Sequence, residues 1–400
     1  MLLFLIEILR DWFHWKVPLA FIYFSTRMIF AAATSLLVTI WLGPRFIKKL
    51  YELKIGQPIR SVAECPLLAQ LHEKKKDTPT MGGILILFAM LVSLFLWMDL
   101  SSAFTLILFL TTLVLGTLGA VDDYLKLSHR NSKGLRAKKK MLCLLAFSSL
   151  VALYLLSPAL TQSISEGTFF HPPMAKEQVG EVLRSLTTQE YIERFYIPFF
   201  KDPIFILDGW LKIAAFFLIV FVITGSSNAV NLTDGLDGLA SGCLVMVSLV
   251  LALFAFFSNH IQLAHYLNIL YIEGSGEIAV YLFALAGAAL GFLWYNGYPA
   301  QVFMGDTGSL ALGGILGVSA ILLRREMILA IAGAVFVAEA LSVILQVLSY
   351  RYRNKKRIFL CAPLHHHFEY KGWPETKVVI RFWIISLLFA IIAVASLKFQ

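Results

Sequence analysis

The sequence predicts an all-α polytopic membrane protein of about ten transmembrane helices, and three observations predict it. Of the 400 residues, 58% are hydrophobic and only 15% are charged, against about 25% charged in an ordinary soluble chain. Apolar runs recur near the length of about 20 residues that spans a hydrocarbon core of roughly 30 Å. Basic residues crowd the loops on one side of those runs. A net charge of +9 would also suit a nucleic-acid partner, but the Lys and Arg clusters hug the apolar segments. They match the headgroups of a lipid bilayer and the control of topology, not nucleic acid.

The spans, in order, are Pro18–Gly43, Thr80–Trp97, Ala103–Val121, Met141–Leu156, Gly209–Gly225, Leu239–Phe257, Ile278–Tyr295, Ser309–Leu323, Ile328–Leu348 and Val378–Leu397. The opening Met1–Trp15 holds Glu7, Arg10 and Asp11 and lacks the basic start and small-residue cleavage site of a signal peptide. The first, third and ninth spans each lead into a basic stretch, with Lys74-Lys75-Lys76, Lys138-Lys139-Lys140 and Arg351–Arg357 as the densest runs. About two thirds of the 34 Lys and Arg lie in loops after odd-numbered spans, which places those loops in the cytoplasm. An even number of spans then leaves both termini extracytoplasmic. The chain reads as one integral-membrane domain over 1–400, with an extracytoplasmic insertion at 157–208 that holds Pro172-Pro173 and an amphipathic-looking Lys176–Phe195. Cys65, Cys143, Cys243 and Cys361 are scattered without CxxC spacing, which argues against a metal knuckle or redox dithiol.

Four groups at span ends and one basic turn carry chemistry. Asp122 and Asp123 follow the uncharged run Ala103–Val121. Adjacent carboxylates at the mouth of a membrane helix repel, and a cation, a metal or a bound substrate must offset that repulsion. A salt bridge to Lys126 at i,i+3 or i,i+4 would do so, as would a Mg²⁺-bound phosphate. In Asn231-Leu-Thr-Asp-Gly-Leu-Asp-Gly, Asp234 and Asp237 share a face if helical, and Gly235 and Gly238 allow close approach of a ligand. Thr233 or Asp234 could instead cap the next helix. Asp306, in Phe303-Met-Gly-Asp-Thr-Gly-Ser, sits in a glycine-flanked turn suited to a hard cation, with amides for a phosphate; the alternative is a cap on the eighth span. His365-His366-His367 follow Pro363. On a helix they diverge by about 100° each, so hydrogen bonding to phosphates or sugar hydroxyls fits better than a shared zinc. The stretch His72–Gly83 is basic and then turns sharply; its lysines suit a diphosphate or simply set topology. All of these lie in loops after odd-numbered spans. They predict one shared polar site, an active site on the cytoplasmic face.

Taken together, Thr78–Gly83, Gly119–Tyr124, Asn231–Leu239, Phe303–Ser309 and Pro363–Glu369 resemble the polyprenyl-phosphate N-acetylhexosamine-1-phosphate transferases, in order and over nearly the whole chain. Only the 157–208 insertion looks longer than that family's norm. The resemblance implies a multi-pass enzyme of the cell (inner) membrane that moves a phosphosugar from a UDP carrier onto a polyprenyl phosphate with Mg²⁺. Pro363–Glu369 and Thr78–Gly83 favour the branch with UDP-MurNAc-pentapeptide and undecaprenyl phosphate as substrates and UMP as the released product. The resemblance further implies that Asp306 holds the metal and that Asp122, with Asp123 beside it, deprotonates or orients the lipid phosphate. Lys126, Lys133 and Lys138 would offset phosphate charge. Lys75, Thr80, Asn231, Asp234, Asn296 and Gln346 match positions around the uridine-diphosphate sugar, Asp237 belongs to the same network, and His365 and His366 meet the phosphates or sugar. Two rivals stand beside this reading. One is a sister enzyme that transfers GlcNAc-1-phosphate. The other is a divalent-cation transporter, whose acids would normally sit near the bilayer midplane. Oligomeric state, a homodimer included, is left open by the sequence.

Overall fold

The computed structural model describes residue 6 and residues 21–53, 78–128, 134–165, 170, 172–179 and 182–397. The helices α1 (Phe24–Glu52), α2 (Gly83–Trp97), α3 (Ala103–Ser128) and α4 (Ala137–Leu156) form the first half of a bundle. A mixed segment follows, with α5 (Pro158–Ser165), strands β1 (Met174–Val179) and β2 (Val182–Leu186), α6 (Thr188–Ile192), and strands β3 (Arg194–Phe195) and β4 (Phe205–Ile206). The second half comprises α7 (Lys212–Thr233), α8 (Leu239–Ser258), α9 (Ile261–Tyr266), strand β5 (Tyr271–Glu273), α10 (Gly276–Asn296), α11 (Gly305–Leu322), α12 (Glu326–Ala332), α13 (Ala334–Tyr352), α14 (Leu364–Tyr370) and α15 (Glu375–Ala395). Among the described residues nine helices are long and apolar enough to cross a membrane, and Gly83–Trp97 is a shorter apolar helix. The protein is a multi-pass membrane protein.

Its layering follows from which helices bury their whole circumference. The apolar window of α11 is 89% buried and those of α8 and α10 are 78% buried, whereas α1, α4, α13 and α15 bury a third or less. The central helices are rich in Gly, Ala and Ser, which lets backbones approach and gain dispersion where lipid offers no hydrophobic contrast. At Gly119 on α3 an added Cβ would stand 2.2 Å from the Asp306 carbonyl oxygen, so α3 and α11 touch backbone to backbone beside the acidic residues. Outward-facing Leu37, Trp41, Phe217, Phe221, Ile384 and Ile391 are all exposed. A soluble surface does not sustain such a belt.

The end of the bundle away from Asp306 is tied by a buried ion pair. Arg27 meets Glu277 at 2.6 Å and gives its Nε–H to the Trp97 carbonyl at 2.6 Å, while the Asp99 N–H donates to Glu277 at 3.0 Å. The pair thus has the extra hydrogen bonds that buried charges require.

Three expectations change. The amphipathic-looking Lys176–Phe195 contributes strands to an antiparallel sheet of order β2-β1-β5, followed by the short α6, whose Thr187 and Glu190 form a capping box. The insertion therefore breaks the all-α expectation locally. The span Ile328–Leu348 is divided at Gly333 into α12 and α13. The second apolar helix starts at Gly83, not Thr80, because Gly82 and Gly83 donate to the carbonyls of Phe303 and Met304 at 2.8 Å each.

Gly119→Ala should force α3 from α11 and cost about 1–3 kcal/mol, the range for overpacking. A thermal-unfolding midpoint in detergent several degrees below wild type is the expected result; an unchanged midpoint would mean the two backbones are not in contact.

Candidate active site

Four helix ends converge at one end of the bundle. The C-terminal turn of α3 brings Asp122, Asp123 and Lys126, the first turn of α4 brings Lys140, the end of α7 brings Asn231 and Asp234, and the first turn of α11 brings Asp306 and Thr307. The Thr78–Gly83 turn packs onto the Phe303–Asp306 turn, with the Phe303 N–H donating to the Pro79 carbonyl at 2.8 Å. Two motifs far apart in sequence are thus hydrogen-bonded backbone to backbone. Thr80 is buried beside Gly305, where an added Cβ would lie 2.6 Å from Asp123 and 2.8 Å from Thr80 Oγ1, at a backbone φ of +74°. Only glycine meets both demands.

Asp123 caps a helix that is not its own. Its Oδ1 accepts the Asp306 N–H at 3.1 Å, and its Oδ2 accepts the Thr307 N–H at 2.9 Å and the Thr307 hydroxyl at 2.7 Å. The amides at the start of α11 are otherwise unpaired within the helix and carry its positive dipole end. A carboxylate from α3 satisfies them. Asp306 is therefore not the cap of its own helix: its side chain is left to face the lysines. Asp306 Oδ2 lies 2.6 Å from Lys126 Nζ and 2.7 Å from Lys140 Nζ, and its Oδ1 accepts the Asn231 amide at 2.7 Å. Lys126 also stands 2.8 Å from Asp122 and 3.7 Å from Asp123. The i,i+3 and i,i+4 salt bridges are therefore real, and they coexist with a shared cluster. Asp122 Oδ1 accepts the Leu135 N–H at 2.6 Å, anchoring the start of α4's basic run.

The carboxylates of Asp122, Asp123 and Asp306 each offer an oxygen within 4.8 Å of the others, a grouping able to hold a metal ion. Oxygen donors of this kind suit Mg²⁺. Both Asp123 oxygens serve the first turn of α11, whereas those of Asp306 meet the side chains of Lys126, Lys140 and Asn231, which an ion could displace, so Asp306 with Asp122 is the better matched pair.

Other expected residues fall elsewhere. Asp234 is partly buried beside the Gly305 amide and joins the cluster. Asp237 accepts the Ala300 N–H at 3.0 Å, Asn296 spans Gly238, Ser241 and Val302, and Gln346 clamps the backbone of Ile358 and Phe359. The bonds these three make shape the loops around the site. Lys138 is exposed on α4, and Lys140 is the lysine of that run that reaches Asp306. Lys75 and Lys133 lie outside the described residues. The helix after α7 is not capped by Thr233 or Asp234; Gly238, at φ 78°, stands at its N-cap.

The histidines diverge as the helical turn requires. His365 is buried with its ring against Gly235, where an added Cβ would be 2.3 Å from Nε2. His366 Nδ1 meets Glu369 at 2.7 Å, and His367 Nδ1 accepts the Leu360 N–H at 3.1 Å. The whole α14 helix is held by Glu339, a fully buried carboxylate of α13. It accepts the N–H groups of Leu364 at 2.7 Å and His365 at 3.1 Å. His365 Nδ1 also lies 3.1 Å from Glu339, a close contact without hydrogen-bond alignment. Glu339 stands in the middle of an apolar run, and its packing is what positions His365.

The class that this fold and site define is glycosyl transferase family 4, whose model matches residues 105–324, more than half of the chain. Within that class the chain belongs to the phospho-N-acetylmuramoyl-pentapeptide-transferase family. Its first signature matches residues 75–87. The chain is 65% identical to the phospho-N-acetylmuramoyl-pentapeptide-transferase of Protochlamydia amoebophila (strain UWE25) over the full length of both. It is 46% identical to that of Desulfotalea psychrophila (strain LSv54 / DSM 12343) over 95% of each chain.

Burial, reinforced by the charges of Asp306 and Asp123, pushes the Asp234 carboxyl up from 3.8 to about 7. A raised carboxyl favours the folded state while protonated, and its ionisation costs stability progressively between the unfolded value and about 7. In metal-free detergent Asp234→Asn should therefore raise the unfolding midpoint over wild type most at pH 8, and the gain should vanish toward pH 4. A gain independent of pH would show that Asp234 is not ionised at this cost.

Proposed function

We propose that this chain transfers phospho-MurNAc-pentapeptide from UDP-MurNAc-pentapeptide to undecaprenyl phosphate, yielding lipid I and UMP, the first membrane step of peptidoglycan biosynthesis. The observation that carries the proposal is the cluster of three aspartates and two lysines at one end of the apolar bundle. In this reading that end faces the cytoplasm of a cell inner membrane, where a water-soluble nucleotide sugar meets a lipid phosphate.

An oxygen of the lipid phosphate attacks the sugar-bearing phosphorus of the UDP-sugar; the new P–O bond forms as the bond to the UMP phosphate breaks. Phosphoryl transfer of this type depends mainly on positioning and on neutralising charge. Lys126 and Lys140 provide cationic groups at the place where the phosphates converge. Asp122 orients the lipid phosphate and accepts any proton it still carries. Asp123 keeps the α11 amides and Asp306 in register. Asp306 with Asp122 would hold Mg²⁺, which would supply further neutralisation of phosphate charge. Glu339 holds His365 against the Asn231–Gly238 turn, where it lies in reach of phosphate or sugar. The aspartate pair is paired with amides and lysines, which lowers its nucleophilicity, and the lipid phosphate is itself an anionic nucleophile. Direct attack follows from both.

The test is an assay of purified protein with undecaprenyl phosphate, Mg²⁺ and each radiolabelled UDP-sugar. Lipid product and UMP are expected from UDP-MurNAc-pentapeptide, with a loss of at least about 10²-fold, typical of a removed transition-state contact, in Asp306→Asn. Product from UDP-GlcNAc alone would assign the sister activity instead.

A further inference from the structure

At the end of the bundle opposite the aspartates, the stretch from Arg194 to Leu211 has a polar base and an apolar tip. Strands β3 and β4 pair antiparallel, Arg194 with Ile206 and Phe195 with Phe205, so the residues between them form a hairpin. The base is fixed. Arg194 pairs with Glu177 at 2.6 Å and its carbonyl accepts Arg324 Nε–H at 2.7 Å. Lys212 meets Glu193 at 2.8 Å, and the Leu207 N–H donates to the Glu193 carbonyl at 2.8 Å. Tyr196 is buried, with the Arg325 guanidinium 5.6 Å from its ring centroid.

The tip does the opposite. Phe199, Phe200, Ile204, Phe205, Ile206 and Trp210 are between 40% and 79% exposed. Successive strand residues point to opposite faces, yet Phe205 and Ile206 are 58% and 52% exposed, so both faces of β4 are bare. Six large apolar side chains within twelve residues are what a water-facing surface avoids, and Trp at the level of lipid headgroups is what membrane interfaces favour. The position fits. Trp210 lies in the first turn of the apolar span Gly209–Thr233, whose Ile213, Phe217 and Phe221 are exposed. Ile206 is three residues from Gly209, at most about 11 Å of extended chain. The bare hairpin therefore continues the lipid-facing surface of α7.

We infer that the hairpin 194–206 is an interfacial anchor. Its occupant is phospholipid of the leaflet opposite the Asp306 cluster, into which the Phe199–Phe200 turn and Phe205–Ile206 insert while the polar base stays in water. Burying the tip fixes the depth of the α7 end and thereby the height of the bundle in the membrane.

The test uses the full-length protein in nanodiscs of phosphatidylethanolamine and phosphatidylglycerol, with native cysteines replaced by alanine. Nitroxide labels are placed at Phe200→Cys and, independently, Ile206→Cys. References are Phe217→Cys on the lipid face and Arg184→Cys, whose native side chain is 62% exposed. Spin relaxation by oxygen and by a water-soluble nickel chelate reports depth. The hairpin labels should fall between Phe217→Cys and Arg184→Cys, with an oxygen-to-nickel collision ratio several-fold above Arg184→Cys. Hairpin labels that match Arg184→Cys would overturn the proposal and leave the patch to an aqueous partner such as a second protein. Agreement between two hairpin positions guards against one variant disturbing the local fold.

Discussion

The active end of this protein depends on one carboxylate serving a helix that is not its own. Asp123, at the end of α3, accepts two backbone N–H groups and a hydroxyl from the first turn of α11. The start of a helix is electropositive and short of hydrogen-bond acceptors, whereas the end of a helix is electronegative and a poor place for acids. Joining the two ends cures both defects. It also orients Asp306, because the residue whose amide is capped must turn its side chain away, and that side chain then meets Lys126, Lys140 and Asn231.

The same junction explains the glycines. The helix ends approach until a methyl group at Gly119 or Gly305 would collide with the Asp306 backbone or the Asp123 carboxylate. Three acids this close in a largely apolar protein would be prohibitive without compensation. Two ammonium groups, three backbone N–H groups and the Asn231 amide provide it. The cluster is thus held together by charge and hydrogen bonding but kept compact by small residues. Glu339 repeats the principle a short distance away, where a buried acid accepts the first amides of α14 and so sets the position of His365.

Much of this was legible in the sequence. Long uncharged runs such as Ala103–Val121 announce their helices because lipid permits little else, and the grouping of Asp122, Asp123, Asn231, Asp234 and Asp306 follows from their shared side of the bundle. The remainder depends on packing. Which of three consecutive lysines turns inward is decided by the rotation of α4, and it is Lys140 that reaches Asp306. Asn296, Asp237 and Gln346 have the polarity of ligand contacts, and the backbone groups they serve lie too far along the chain to be paired from spacing. The break at Gly333 left no hydropathy signal, since the apolar run is continuous across it. The sheet in the insertion was hidden because β1 has partners in β2 and in β5, the latter about a hundred residues away.

The central claim is that Asp123 and the start of α11 form one energetic unit. It is tested most directly by a double-mutant cycle of Asp123→Ala and Thr307→Val, read as unfolding free energy in detergent. The account predicts a coupling of about 1–2 kcal/mol, as expected for a buried hydrogen bond to a charged acceptor. Effects that add to within about 0.3–0.5 kcal/mol, as independent sites do, would contradict it.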